Sequence, residues 1–335
     1  MNKKQKFEQL LNHGKVDDGF LFQPILMHFA ARHSGKTYRE FASDYRSLVE
    51  SNLKCLEDFD MDAVGLISDP YRETSAFGAK VSFPEETVPV CHNVLIKSMN
   101  DIELLKNPDV YESERTRDRI KAAEMFYKEI GNSVPIIGWI EGPLAEACDL
   151  AGVSEILLSL MMNPDFVKKL VEKVMKTALD FAKAQIEAGC DIIGVGDAIC
   201  SQIDAETYRT IVKDKHAAIF EFIHRHGAKV KLHICGNITH LLPDIKDTRP
   251  DIVDIDHLVN MEEAYNMLGP DIVRCGNLDP VSVIQQKSRE DLADIVRTLC
   301  SKEKDRRFII SGGCEISVQT SPENLMVLRT CSRYF

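Results

Sequence analysis

Short runs of apolar and β-branched residues recur along the chain, each followed by a longer stretch whose apolar positions fall three and four apart. The first kind of run buries as a strand and the second as one face of a helix, so the pattern predicts strands alternating with helices. The predicted strands run from Phe20 to Met27, Ala63 to Ile67, Val134 to Ile140, Asp191 to Val195, Lys229 to Gly236, Ile252 to Ile255 and Ile272 to Cys275, with a last one starting at Phe308 and delivering Cys314. Helices are predicted over 37–58, 113–130, 144–161, 164–189, 205–226, 238–246, 261–268, 289–303 and 322–331. A glycine-ended helix over 3–13 lies in an N-terminal extension of residues 1–19. Residues 71–100 break the rhythm with short strand-like pieces and turns, which predicts an insertion over one end of the sheet.

Eight strands separated by helices make an α/β chain of the (β/α)8 TIM-barrel class, one domain over 1–335. A doubly wound sheet would ask for phosphate-binding glycines after the first strand, and Met27-His-Phe-Ala-Ala has none. Barrels carry their chemistry at the C-terminal ends of the strands. Those ends hold His28, Asp69, Glu141, Asp197, His233 with Cys235, Asp256, Asn277 and Cys314.

His233 and Cys235 are two apart on a strand and share a face, which makes a pair of metal donors. Cys314 is the natural third donor, because it too follows an apolar run broken by glycine. One imidazole and two thiolates suit Zn2+ with one position left open. Glu141 or Asp256 is the candidate fourth ligand, and Asp197, Asp256 and Asn277 are candidates for acid–base work or substrate contact. Each has a plainer alternative: a cysteine that packs as a small hydrophobe, a rim carboxylate bonded to backbone, an asparagine that caps a turn.

Composition narrows the partners. With 44% hydrophobic and 28% charged residues and a formal charge of −11, the chain disfavours nucleic acid or an anionic membrane surface as a partner. The basic start lacks an apolar signal core and no run approaches a membrane span, so neither is expected. Ten scattered cysteines fit reduced thiols in a cytoplasm. Exposed helix faces leave room for a homodimer.

Met27-His-Phe-Ala-Ala-Arg32, Gly196-Asp197-Ala-Ile-Cys-Ser201, His233-Ile-Cys-Gly-Asn237, Gly276-Asn-Leu-Asp-Pro280 and Gly313-Cys314 with Pro322-Glu-Asn324 resemble the uroporphyrinogen decarboxylase superfamily over nearly the whole chain. Within it they look like the zinc methyltransferases that work with corrinoid proteins, such as methylcobalamin:coenzyme M methyltransferases and methyl-ether-demethylating enzymes. The resemblance implies a TIM barrel and zinc on His233, Cys235 and Cys314. It implies methyl transfer between a small methylated substrate or thiol acceptor and a corrinoid carried by a partner protein, with His28 and Asp69 at the cofactor-facing rim. No D-x-H-x-x-G corrinoid motif occurs in the chain itself. The decarboxylase reading fits less well, because the family's Arg-Gln-Ala-Gly-Arg is His28-Phe-Ala-Ala-Arg32 here, although Asp69 stands where the decarboxylase has its catalytic aspartate. A non-catalytic zinc barrel is the alternative of another class.

Overall fold

Parallel strands β1 (Leu21–Phe22), β2 (Val64–Gly65), β3 (Ile136–Glu141), β4 (Ile192–Gly196), β5 (Lys229–His233), β6 (Ile252–Ile255), β7 (Val273–Leu278) and β8 (Phe308–Gly312) form one sheet. This computed structural model describes residues 1–16 and 19–334; Asp17 and Asp18 of the predicted N-terminal extension, and Phe335, lie outside the described residues. Each strand from β2 to β8 pairs with the next, and β8 pairs with β1. The remaining seam is closed by Asp62, whose N–H donates to the Phe22 carbonyl at 2.9 Å and whose Oδ2 accepts the Phe22 N–H at 2.8 Å. Helices follow the strands, and the fold is a (β/α)8 barrel.

The N-terminal helix Lys3–His13 is capped by Asn2 and plugs the bottom of the barrel. Its Phe7 and Leu10 pack on Leu21, Ile137, Ile192, Ile252, Val273 and Ile309, which lie at or near the strand starts. The opposite, C-terminal end is thereby left to the loops.

Several predicted elements differ in extent. β1 stops early because Pro24 has no N–H to donate; the last ladder bond is Gln23 N–H to the Ile310 carbonyl at 3.1 Å. A helix His28–His33 then begins, in a stretch for which the apolar pattern predicts no element. The helix predicted over 37–58 is two, Tyr38–Ser43 and Tyr45–Phe59, because extended Asp44 ends the first and caps the second through its carboxylate. Gly152, at φ +95°, likewise splits 144–161 into Pro143–Ala151 and Val153–Met162. β7 runs to Leu278, so Asn277 lies inside the strand and not beyond it. The insertion holds a helix Arg72–Ala76 and a hairpin of Val81–Ser82 with Val90–Cys91, and Arg72, Glu73 and Thr74 are buried. Its root is therefore packed into the barrel mouth. No helix among the described residues is long and apolar enough to cross a membrane.

Candidate metal centre at the barrel mouth

His233 ends β5, and each candidate sulfur lies two residues past the end of its strand: Cys235 after β5 and Cys314 after β8. The structure brings the three together. His233 Nε2 is 3.0 Å from Cys235 Sγ, Cys235 Sγ is 3.2 Å from Cys314 Sγ, and Cys314 Sγ is 3.8 Å from His233 Nε2. His233 is buried and both cysteines are partly exposed toward the mouth.

Two glycines make this convergence possible. Gly236, at φ +94°, turns the chain sharply after Cys235. Gly313 passes so close to the next loop that a Cβ there would lie 2.5 Å from the His257 backbone nitrogen. Asp256 joins the loops: its Oδ2 accepts the Gly236 N–H at 2.9 Å and its Oδ1 the Leu258 N–H at 3.0 Å.

His233 is held from behind. Its Nδ1 lies 2.8 Å from Asp254 Oδ2, and the Asp254 Oδ1 accepts from the Lys231 ammonium. Trp139 lies against the imidazole with ring centroids 5.7 Å apart, in space left open by Gly194 and Gly196. Burial works against a charge on His233, but hydrogen bonds to Asp254 and Cys314 outweigh it and raise the pKa to about 10. The hydrogen bond from Cys235 draws Cys314 down to about 4, while the same bond pushes Cys235 up. Two sulfurs this close share one proton between them, and a dication is what would let both be thiolates.

The donor set fits zinc. Zn–S bonds of about 2.3 Å and Zn–N bonds of about 2.0–2.1 Å give tetrahedral donor separations of about 3.5–3.8 Å. The Cys314–His233 separation already matches, and the partly exposed Cys235 thiol would have to move out by about half an ångström from each partner. His233, Cys235 and Cys314 would hold such an ion, and three protein donors would leave it one position for a further ligand.

The other sequence candidates are drawn into different contacts. Neither Glu141 nor Asp256 joins the donor triangle. Glu141 Oε1 is 2.7 Å from Arg72 Nη2. Asp197 is fully buried, accepting the Leu144 and Ala145 N–H groups at 3.3 and 2.7 Å and lying 2.9 Å from His216 Nε2. Asp197 also lies near Cys200 and His216 in a second, wholly buried group of possible donors, but these backbone bonds already use its oxygens. Asp69 is buried against Arg115, Ser68 and the Tyr71 N–H, and although burial opposes ionisation, Arg115 and then Arg72 hold its carboxyl below the ordinary range. Asn277 Nδ2 donates to the Val259 carbonyl at 2.9 Å. His28 stands at the rim, 4.8 Å from the Tyr38 ring centroid, with its N–H on Glu315 Oε1 at 3.0 Å.

Sequence reasoning missed Lys231, Asp254, Trp139 and Glu315. Lys231, His233 and Cys235 share one strand parity, and so do Asp254 and Asp256, so alternation could have flagged the first two. Glu315 follows Cys314 directly; burial first, and then Cys314, raise its carboxyl to about 7 despite the His28 N–H.

The uroporphyrinogen decarboxylase (URO-D) family profile matches residues 3–334. A Methylcobamide:CoM methyltransferase MtbA from Methanosarcina mazei is 26% identical over 280 residues, 82% of this chain and 80% of that protein. A uroporphyrinogen decarboxylase from Trichlorobacter lovleyi is 24% identical over 315 residues, 91% of this chain and 90% of that protein. Among solved structures, a methyltransferase from Methanosarcina mazei has a TM-score of 0.90 at 19% identity, covering 99% of this chain and 98% of that one. A B12-independent methionine synthase from Shewanella has a TM-score of 0.60 at 14% identity, covering 93% and 95%.

Proposed function

The chain belongs to the uroporphyrinogen decarboxylase family, and from that premise we propose that it is a zinc-dependent methyltransferase of the corrinoid-linked branch. It moves a methyl group between a small substrate held at His233, Cys235 and Cys314 and the cobalt of a corrinoid carried by a partner protein. The observation that carries the reading is the meeting of one imidazole and two thiols at the barrel mouth. The chain is a cytoplasmic enzyme on this reading, in keeping with ten free cysteines among the described residues.

Zinc bound there supplies Lewis acidity to whatever occupies its fourth position, a methyl-ether oxygen or a thiol. The protein's own part is positional. His233, Cys235 and Cys314 bind, Asp256 and the two glycines fix the loops, and the packed insertion root shapes the approach on the Glu141 side. Demethylation of a small methylated substrate is the primary assignment. Transfer to a thiol is the second, and the named activity of the Methanosarcina mazei relative supports it.

Decarboxylation is less favoured on two observations. The position of the family's first rim arginine is His28, and Asp69 is tied to Arg115, Ser68 and Tyr71 instead of presenting free oxygens. The test is metal content and methyl transfer together. Purified protein should hold about one zinc per chain, lose most of it in Cys314→Ser, and exchange methyl groups with free cobalamin as a stand-in for the partner. Full activity in a metal-free wild type would defeat the proposal.

A further inference from the structure

Two residues before His233 on β5, Lys231 forms with Asp254 of β6 an ion pair whose members are 1% and 5% exposed. Lys231 Nζ also lies 3.4 Å from Cys275 Sγ. A pair this deep is weak evidence for stability, since apolar residues of similar volume commonly hold a core as well or better. Its geometry points elsewhere. The two carboxylate oxygens of Asp254 are divided, Oδ1 to Lys231 and Oδ2 to His233 Nδ1 at 2.8 Å. The line Lys231, Asp254, His233 ends at Nε2, which faces Cys235 Sγ at 3.0 Å.

We propose that Lys231 and Asp254 are positioning residues for the zinc centre: Lys231 pins the Asp254 carboxylate, and Asp254 pins the His233 ring with Nε2 toward the two sulfurs. The inference rests on the zinc reading above. A neutral imidazole can carry its proton on either nitrogen, and only a proton on Nδ1 leaves the Nε2 lone pair for a metal. Asp254 fixes that choice by accepting at Nδ1. Without Lys231 the carboxylate could turn about its own bonds and offer His233 either oxygen, or neither.

The ladder explains why the line is straight. Lys231 is in register with Ile252 and Leu232 with Val253, so the next step along the same two strands sets His233 beside Asp254. Lys231 lies two residues below His233 on the same face, and its side chain reaches Asp254 from underneath. Trp139 closes the ring's other side. The ring is thus held by a hydrogen bond at Nδ1 and by an indole face, and what remains free is the edge that meets the thiols.

The experiment separates positioning from simple structural support. Lys231→Met/Asp254→Leu replaces the pair by apolar side chains of similar length; its metal-free form should unfold at about the wild-type temperature. Zinc affinity, measured by competition with a chromophoric chelator, should nonetheless fall about 10–100-fold. Lys231→Met alone should weaken zinc binding about tenfold. A folded double variant that binds zinc within about twofold of wild type overturns the inference while leaving the zinc reading intact. A wild type that binds no zinc overturns both. If the double variant does not fold, the wild type decides: with zinc bound and histidine labelled with 15N, His233 should show its proton on Nδ1 and the metal on Nε2, and the opposite assignment refutes the proposal.

Discussion

Gly313 offers a way to move a candidate metal donor, Cys314, without changing its chemistry. An alanine Cβ there would lie 2.5 Å from the His257 backbone nitrogen and 3.0 Å from the Asp256 Cα and carbonyl carbon. Those are main-chain atoms fixed by the β6 end, so no side chain can swing aside. Relief to even the tightest tolerable contact requires the two loops to separate by at least about 0.5 Å, and Cys314 is the next residue along. Zinc sites tolerate ligand distances only within about 0.2 Å. The sulfur is therefore carried out of range, or the loops are strained to keep it there.

Gly313→Ala should accordingly cost about 1–3 kcal/mol in unfolding free energy, as overpacking does. Zinc affinity should drop about 10–100-fold, the range found when what holds a ligand is disturbed. Trp139 is the only tryptophan, and its ring lies 5.7 Å from that of His233, so its emission should respond to zinc bound there. Titrating zinc against a competing chelator while following this emission gives the affinity, and urea unfolding of the metal-free protein gives the stability. Gly65→Ala, where a new Cβ meets nothing within 4 Å, is the control and should leave both unchanged. A Gly313→Ala protein with wild-type zinc affinity would show that the close passage of the Cys314 loop does not set the sulfur's place.

Two further outcomes concern the scaffold. Glu73, Glu141 and Asp149 lie within reach of the single Arg72 guanidinium, with Glu146 beside these three acids, and burial raises all four, Asp149 to about 8. Folded values above unfolded ones mean that their stabilisation is complete below about pH 4 and is lost as pH climbs through the folded values. Asp69 and Asp254, held low, act oppositely: their stabilisation is complete above about pH 4 and is lost as pH falls through their folded values. Glu146→Gln should therefore leave stability unchanged near pH 4–5 and raise it at pH 8, as measured by urea midpoints; a variant less stable than wild type at pH 8 would refute the assignment. Phe7→Ala, at the barrel bottom, should cost about 3–5 kcal/mol yet leave zinc stoichiometry untouched, and a loss of zinc at unchanged stability would contradict the separation of plug from mouth.

The fold and the donor set were legible in the sequence for one reason: both are local. A short apolar run that breaks at glycine names a strand and its end within eight residues, and His233, Cys235 and Cys314 lie at or within two residues of such ends. What could not be read is which strand-end carboxylate is free. Glu141, Asp69, Asp197 and Asp256 look alike along the chain, yet each is occupied by a partner elsewhere in it: Glu141 by Arg72, Asp69 by Arg115, Asp197 by His216, Asp256 by the Gly236 N–H. Those partners are 20 to 69 residues away except for His216, at 19, and no periodicity encodes such a pairing. Lys231 is the instructive miss. It interrupts an apolar strand, and parity puts it on the same face as His233. A cation on the inward face of a barrel strand must find an anion there, because its burial would otherwise be too costly, and Asp254 is the inward acid on the neighbouring strand. Charge on the buried parity of a strand is therefore the signal by which the support of such a centre can be found before its coordinates are known.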